Sequence, residues 1–145
     1  MKSDSPNAVR ITLVNRQRDR PVDRPRILRL VADVLAERGQ TADVVIHWVS
    51  RKRSAELNQQ FLQHEGPTDI ITFDYGSTTD RLQGELFICI AEAVRQAAEF
   101  RTDWKQELHR YVIHGLLHLR GFDDREPAVR RVMKREENRL VRRFG

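Results

Sequence analysis

The segment His114-Gly115-Leu116-Leu117-His118-Leu119-Arg120-Gly121-Phe122-Asp123-Asp124 concentrates the residues of this chain that could do chemistry. Two histidines stand four positions apart inside an apolar run. On a helix that spacing puts both rings on one face, with Cβ atoms about 5–6 Å apart. Two imidazole nitrogens so placed suit one metal ion. Gly121 offers a C-terminal stop. The chain can then turn and bring a third ligand, Asp124 or its neighbour Asp123, back to the same point. Two polar rings in a buried helix are costly unless they share a partner.

The residue after the first histidine narrows the chemistry. Zinc peptidases of the His-Glu-x-x-His type carry a glutamate there as general base. Here it is Gly115, so peptide hydrolysis by that route lacks its base. The missing side chain also predicts room for a bulky substrate beside the ion. Glu107 lies on the same helical face about two turns earlier. It is expected to support the surroundings of the site without binding the ion. His109 is rotated off that face, and His47 lies far off in sequence; neither is expected to join the site.

These residues need elements to hold them. Ala8 to Val14 alternates apolar and polar and reads as a strand. Pro25 suits a first helical turn. Ile27, Leu30, Val31, Val34 and Leu35 then recur at helical spacing up to Gly39. Asp43 to Val49 is β-branched and reads as a second strand. Ser50 is a candidate N-cap for a helix reaching His64 before Gly66-Pro67 breaks it. Ile70 to Tyr75 and Gly84 to Ile90 are two further strands, with Trp48, Phe73 and Phe87 expected in the core. Ala91 to Phe100 is a helix. Asp103 caps the long segment Trp104 to Arg120, apolar on nearly every side from Tyr111 onward and therefore a central, buried helix. A last helix follows Glu126-Pro127. The fold class is α+β: one sheet of about four strands packed on helices, with the histidine-bearing helix in the middle.

The 145 residues fit one domain, 1–145, with a real core. A lone cysteine, Cys89, leaves no intramolecular disulfide and no thiolate cluster. No apolar run approaches membrane-spanning length, and the first residues have no apolar stretch of a signal peptide behind them. A cytoplasmic protein is expected. The pI is near 10.0 and the net charge +5. From Arg125 to Gly145 eight basic residues face three acids, a surplus equal to the charge of the whole chain. Such a segment either meets a polyphosphate such as RNA or is a solvated helix face laced with ion pairs.

The segment from His114 through Asp123 resembles the signature of the YbeY family, bacterial endoribonucleases of ribosomal RNA maturation. Two further blocks are similar to that family in the same order: Leu57-Asn58 followed by Pro67-Thr68-Asp69-Ile70-Ile71-Thr72-Phe73, and Gly84-Glu85-Leu86. Met133 and Glu136 or Glu137 stand where its last helix carries a Met and a Glu. The resemblance implies an α+β fold and one zinc ion per chain on His114, His118 and Asp124. Asp124 occupies the position of the family's third histidine. A carboxylate is an accepted zinc ligand, and it lowers the charge of the site. Two histidines and a carboxylate can also hold non-haem iron; the helical histidine spacing favours zinc. The family's arginine before the Pro-Thr-Asp block aligns with Leu62, which cannot offer a phosphate two parallel donors. The nearest replacement is His64, expected as a catalytic group, with Arg51, Lys52 and Arg53 as further candidates. Arg51, Arg53, Asn58, Thr68 and Asp69 are the expected RNA contacts. The implied partners are ribosomal RNA and the small ribosomal subunit. The implied activity is metal-dependent cleavage of single-stranded RNA. The alternative is a non-catalytic assembly factor that binds RNA and keeps its metal for structure.

Overall fold

A computed structural model describes residues 8–63 and 65–145. His64, expected as a catalytic group, lies outside the described residues.

The first strand, β1 (Val9–Asn15), is followed by α1 (Arg24–Glu37) and β2 (Thr41–Val49). Asp23 caps α1 by accepting from the Arg26 N–H, and Pro25 sits in its first turn, where a missing N–H costs nothing. The five apolar residues of α1 at helical spacing are all buried. Helix α2 (Arg51–Leu57) begins at the Ser50 cap and runs into one widened π turn, Asn58–Leu62. That turn closes at Gln63, which has φ +56. The helix expected through His64 thus loses its α geometry at Asn58. Strands β3 (Ile70–Asp74) and β4 (Arg81–Cys89) complete the sheet, and α3 (Ile90–Phe100), α4 (Trp104–Leu119) and α5 (Pro127–Phe144) follow. Strand β4 starts earlier than the expected Gly84, because Arg81 pairs with Thr41 across the sheet.

The sheet order is β1-β2-β4-β3, with β1, β2 and β4 parallel and β3 antiparallel on β4. Burial alternates along β2 and β4: Ala42, Val44, Ile46 and Trp48 face the same side as Leu82, Gly84, Leu86 and Ile88. Helix α4 packs on that side and also touches α1, α3 and α5. It is the central helix of an α+β fold, and Val112, Ile113, Leu116 and Leu117 are fully buried. Phe73 and Phe87 depart from expectation. They point to the other side of the sheet and meet edge to face at 5.7 Å, with His47 stacked on Phe87 at 4.2 Å.

Gly84 and Gly115 set how closely helix and sheet approach. A Cβ on Gly84 would collide with the Phe73 carbonyl oxygen. A Cβ on Gly115 would lie 2.7 Å from Leu86 and 2.8 Å from Ile70. Gly115 is buried against the sheet, so the space expected there for substrate is filled by side chains of β3 and β4.

Candidate metal centre

Helix α4 starts at the Asp103 cap and ends in a six-residue turn. Gly121, at φ +97, donates to the His118 carbonyl, and Phe122 donates to that of Leu117, both at 3.0 Å. This pairing of bonds is a Schellman ending, which a glycine in left-handed conformation makes cheap. Phe122 packs on the core. The turn thereby aims the following residues back at the helix face that carries the histidines.

Three atoms converge there. His114 Nε2 and His118 Nε2 are 3.2 Å apart, and Asp124 Oδ2 lies 3.4 Å and 3.5 Å from them. A tetrahedron with ligand atoms about 2.0–2.1 Å from its centre has edges of about 3.3–3.4 Å. The triangle therefore has the size one zinc-like ion requires, and the group could hold a metal ion. Asp123 is not part of it: its carboxylate takes a forked contact from Arg125 at 2.8–3.1 Å, which holds its pKa down at about 2. Between the two candidates for third ligand, the turn selects Asp124.

The other ring nitrogens fix the tautomers. His114 Nδ1 is 2.7 Å from Glu137 Oε1, and His118 Nδ1 is 3.2 Å from the Phe122 carbonyl oxygen. Both partners only accept, so both Nδ1 atoms carry the proton and donate. Both Nε2 atoms then present lone pairs to each other and to a carboxylate. Three acceptors in contact with no donor among them call for a cation, and this back-bonding of the far nitrogen is how metal-binding imidazoles are held.

Glu137 lies on α5, is 3% exposed, and also accepts from Arg110 at 2.7 Å and Lys134 at 3.0 Å. Burial pushes its pKa up, but these bonds with that of His114 outweigh burial and hold it at about 2. It is a fixed negative charge. His114 shows the reverse balance: burial lowers its pKa, and Glu137 more than restores it. The pKa of His118 is lowered, first by burial and then by His114. Sequence reasoning left Glu136 and Glu137 equivalent. The structure separates them, since Glu136 turns to Arg139 at 2.8–2.9 Å.

A cleft of about 1040 Å³ runs past the group, walled by Leu62, Thr68 and Asp69 on one side and Asp123 to Arg125 on the other. The Asp69 carboxylate accepts from the Ile70 N–H at 2.7 Å, and Thr68 is tied through backbone and Ser54 hydroxyl at 2.9–3.0 Å. Asn58 is 5% exposed and donates to the Gly66 carbonyl at 2.9 Å. Of the two uses open to it, an RNA contact or a buried group bonded to backbone, it makes the second bond, bracing the π turn. Arg51 and Arg53 are outside the cleft lining, near Glu92 at 3.5 Å and Glu56 at 3.4 Å. Arg125 was not singled out from the sequence. It is the arginine on the cleft wall, and its position beside Asp124 was the available signal.

A mixed sheet backed by a buried helix that carries two histidines, met by an aspartate from the next turn, defines an α+β protein with a three-residue group that could hold a metal ion. The sequence profile of the family described as Endoribonuclease YbeY matches residues 12–145, and the chain belongs to that family. Relatives include the Endoribonuclease YbeY of Parabacteroides distasonis, 40% identical over 79% of this chain and 78% of its own. That of Chlorobium luteolum is 37% identical over 86% of this chain and 92% of its own. The solution structure of a Thermotoga maritima protein superposes with a TM-score of 0.69 at 26% identity, covering 90% of this chain and 86% of that one.

Proposed function

We propose that this chain is a zinc-dependent endoribonuclease that cuts single-stranded RNA during ribosomal RNA maturation, in the cytoplasm, with the small ribosomal subunit as its working partner. The observation that carries the reading is the convergence of His114 Nε2, His118 Nε2 and Asp124 Oδ2 with no donor between them. No fourth His, Cys, Asp or Glu among the described residues joins the three, and three protein ligands are the pattern of catalytic zinc sites. Family membership supplies the substrate class. No helix among the described residues is long and apolar enough to cross a membrane.

Zinc in this site would supply Lewis-acid polarisation of a phosphodiester and a water acidified toward neutral pH. The protein's part is positional. Glu137 and the Phe122 carbonyl each hold a proton on the Nδ1 they face and so aim both Nε2 lone pairs at one point. Arg125, 84% exposed at its side chain and oriented by Asp123, offers the cleft a guanidinium for the phosphate that Leu62 cannot hold. Thr68 and Asp69 line the opposite wall.

The test is elemental analysis of protein purified without added metal, beside His114→Ala and Asp124→Ala. One zinc per chain in the parent, absent in both variants, is expected. It should accompany metal-dependent cleavage of single-stranded RNA that His114→Ala abolishes and Arg125→Ala slows by 10-fold or more. Full cleavage by His114→Ala would overturn the hydrolytic role. Leu62 on the cleft wall favours the second reading, an assembly factor that binds RNA without cutting it. That reading gains if zinc is stoichiometric and cleavage is absent.

A further inference from the structure

A second cavity of about 580 Å³ opens on the other side of His114 and Asp124, among α3, α4 and α5. It shares only Asp69, His114 and Asp124 with the cleft. Its size is that of a pocket for a small organic group. One row of α4 forms its floor. Glu107, Tyr111 and His114 follow at helical spacing, placing Tyr111 about 4.5 Å and Glu107 about 10.5 Å along the axis from His114.

Each of these side chains has unused capacity. Tyr111 is 4% exposed, yet its buried hydroxyl has no hydrogen-bond partner among the described residues. An orphaned buried hydroxyl is costly, and one on a cavity wall is what a ligand would satisfy. The Glu107 carboxylate has no hydrogen-bond or ion-pair partner among the described residues either, and Gln96 adds an amide to the same wall. Phe100, 66% exposed, supplies an apolar surface, and Met133, 1% exposed, backs the cavity from the core. Lys134 and Arg110 are committed to Glu137, but Arg130 has no acidic partner among the described residues.

We propose that this cavity is a base-selective subsite: it seats the nucleotide next to the phosphate bound at the ion that His114, His118 and Asp124 would hold, with the base against Phe100 and its edge on Glu107. The proposal rests on the ribonuclease reading above. Single-stranded RNA is read by splaying bases onto aromatic side chains and bonding their exposed edges. A carboxylate only accepts. Guanine presents two adjacent donors, N1–H and the N2 amino group, to its two oxygens. Uracil presents one donor between two carbonyl oxygens, which a carboxylate repels. The Tyr111 hydroxyl is free to donate to a base or ribose oxygen, and Arg130 stands at the rim for a flanking phosphate. The subsite therefore favours guanine and disfavours uracil.

The test titrates zinc-supplemented protein with guanosine and uridine 5′-monophosphates by NMR, in the parent, Glu107→Ala and Tyr111→Phe, and sequences the ends released from a random single-stranded RNA. The guanosine nucleotide is expected to bind about tenfold more tightly. Glu107→Ala should erase that ratio, and Tyr111→Phe should weaken both nucleotides severalfold without lowering Tm. Released ends should carry guanine beside the break, and lose it in Glu107→Ala. Equal binding of the two nucleotides, or a ratio indifferent to Glu107, overturns the subsite. Cleavage with no base preference also overturns it and leaves the ribonuclease reading intact. Selective binding without any cleavage supports the subsite and removes the ribonuclease reading instead.

Discussion

Glu137 converts two histidines into a directed pair. Its charge is buried and triply bonded, so it cannot turn away or take up a proton near neutrality. Glu137→Gln keeps the shape and removes the charge. It should weaken zinc affinity by about 10–100-fold in competition with a chelator; an unchanged affinity would leave Glu137 without a role at the site. Gly115 makes a second case. Alanine there gains about 1 kcal/mol of helix propensity. Its Cβ meets two side chains under 3 Å, and such overpacking costs about 1–3 kcal/mol. The clash should win, and Gly115→Ala should lower the urea midpoint. The candidate ligands were legible in the sequence because one helix end and its turn carry them, although the choice of Asp124 over Asp123 came from the family resemblance and not from spacing. Glu137 was not, because it arrives from another helix and only tertiary packing distinguishes it from Glu136. Asn58 stood between two readings for a related reason: a polar residue beside a motif reads the same whether it faces a ligand or a carbonyl inside.

Helices α1 and α5 are clasped by Arg139, which contacts Glu37 at 2.7–2.9 Å and Glu136 at 2.8–2.9 Å. The guanidinium holds both carboxyl pKa values below the ordinary glutamate value of 4.5. Groups lowered in the folded state stabilise it above that ordinary value and lose the contribution as pH falls through their folded values. Arg139→Ala should cost about 1–2 kcal/mol at pH 7 and low salt, a range set by partly exposed ion pairs. The gap between variant and parent should shrink steadily below about pH 4.5 in urea unfolding. A gap that stays constant with pH would mean packing and not charge. Helix boundaries were readable from caps and apolar spacing. The facing of Phe73 and Phe87 was not, because adjoining strands here carry apolar residues on both sides and a one-residue alternation cannot say which side the helices take.

The basic surplus of the C-terminal segment resolves into two populations across the molecular surface. Lys134, Arg139 and Arg143 contact acids of α1 and α5, and Arg125 contacts Asp123. Arg130, Arg131, Arg135 and Arg142 have no acidic partner among the described residues. The laced helix face expected of this segment is present at the paired residues, and the unpaired arginines are the ones that would meet a polyphosphate. If those four arginines each meet a phosphate, the logarithm of RNA affinity should fall with the logarithm of salt at a slope of about −3. Fluorescence anisotropy of a labelled single-stranded RNA measures it, and a slope near zero would dismiss the segment as a binding surface. The compact origin of the metal ligands has its own thermodynamic consequence. Because one helix end and its turn carry all of them, the unfolded chain keeps them near each other and closes the loops between them at little entropic cost. If zinc is the ion, a denatured chain that still captures it draws it away from the native state, and zinc should raise the melting temperature less than its native affinity alone implies. If the group holds an ion, the same proximity would let that ion gather this turn before the sheet is complete.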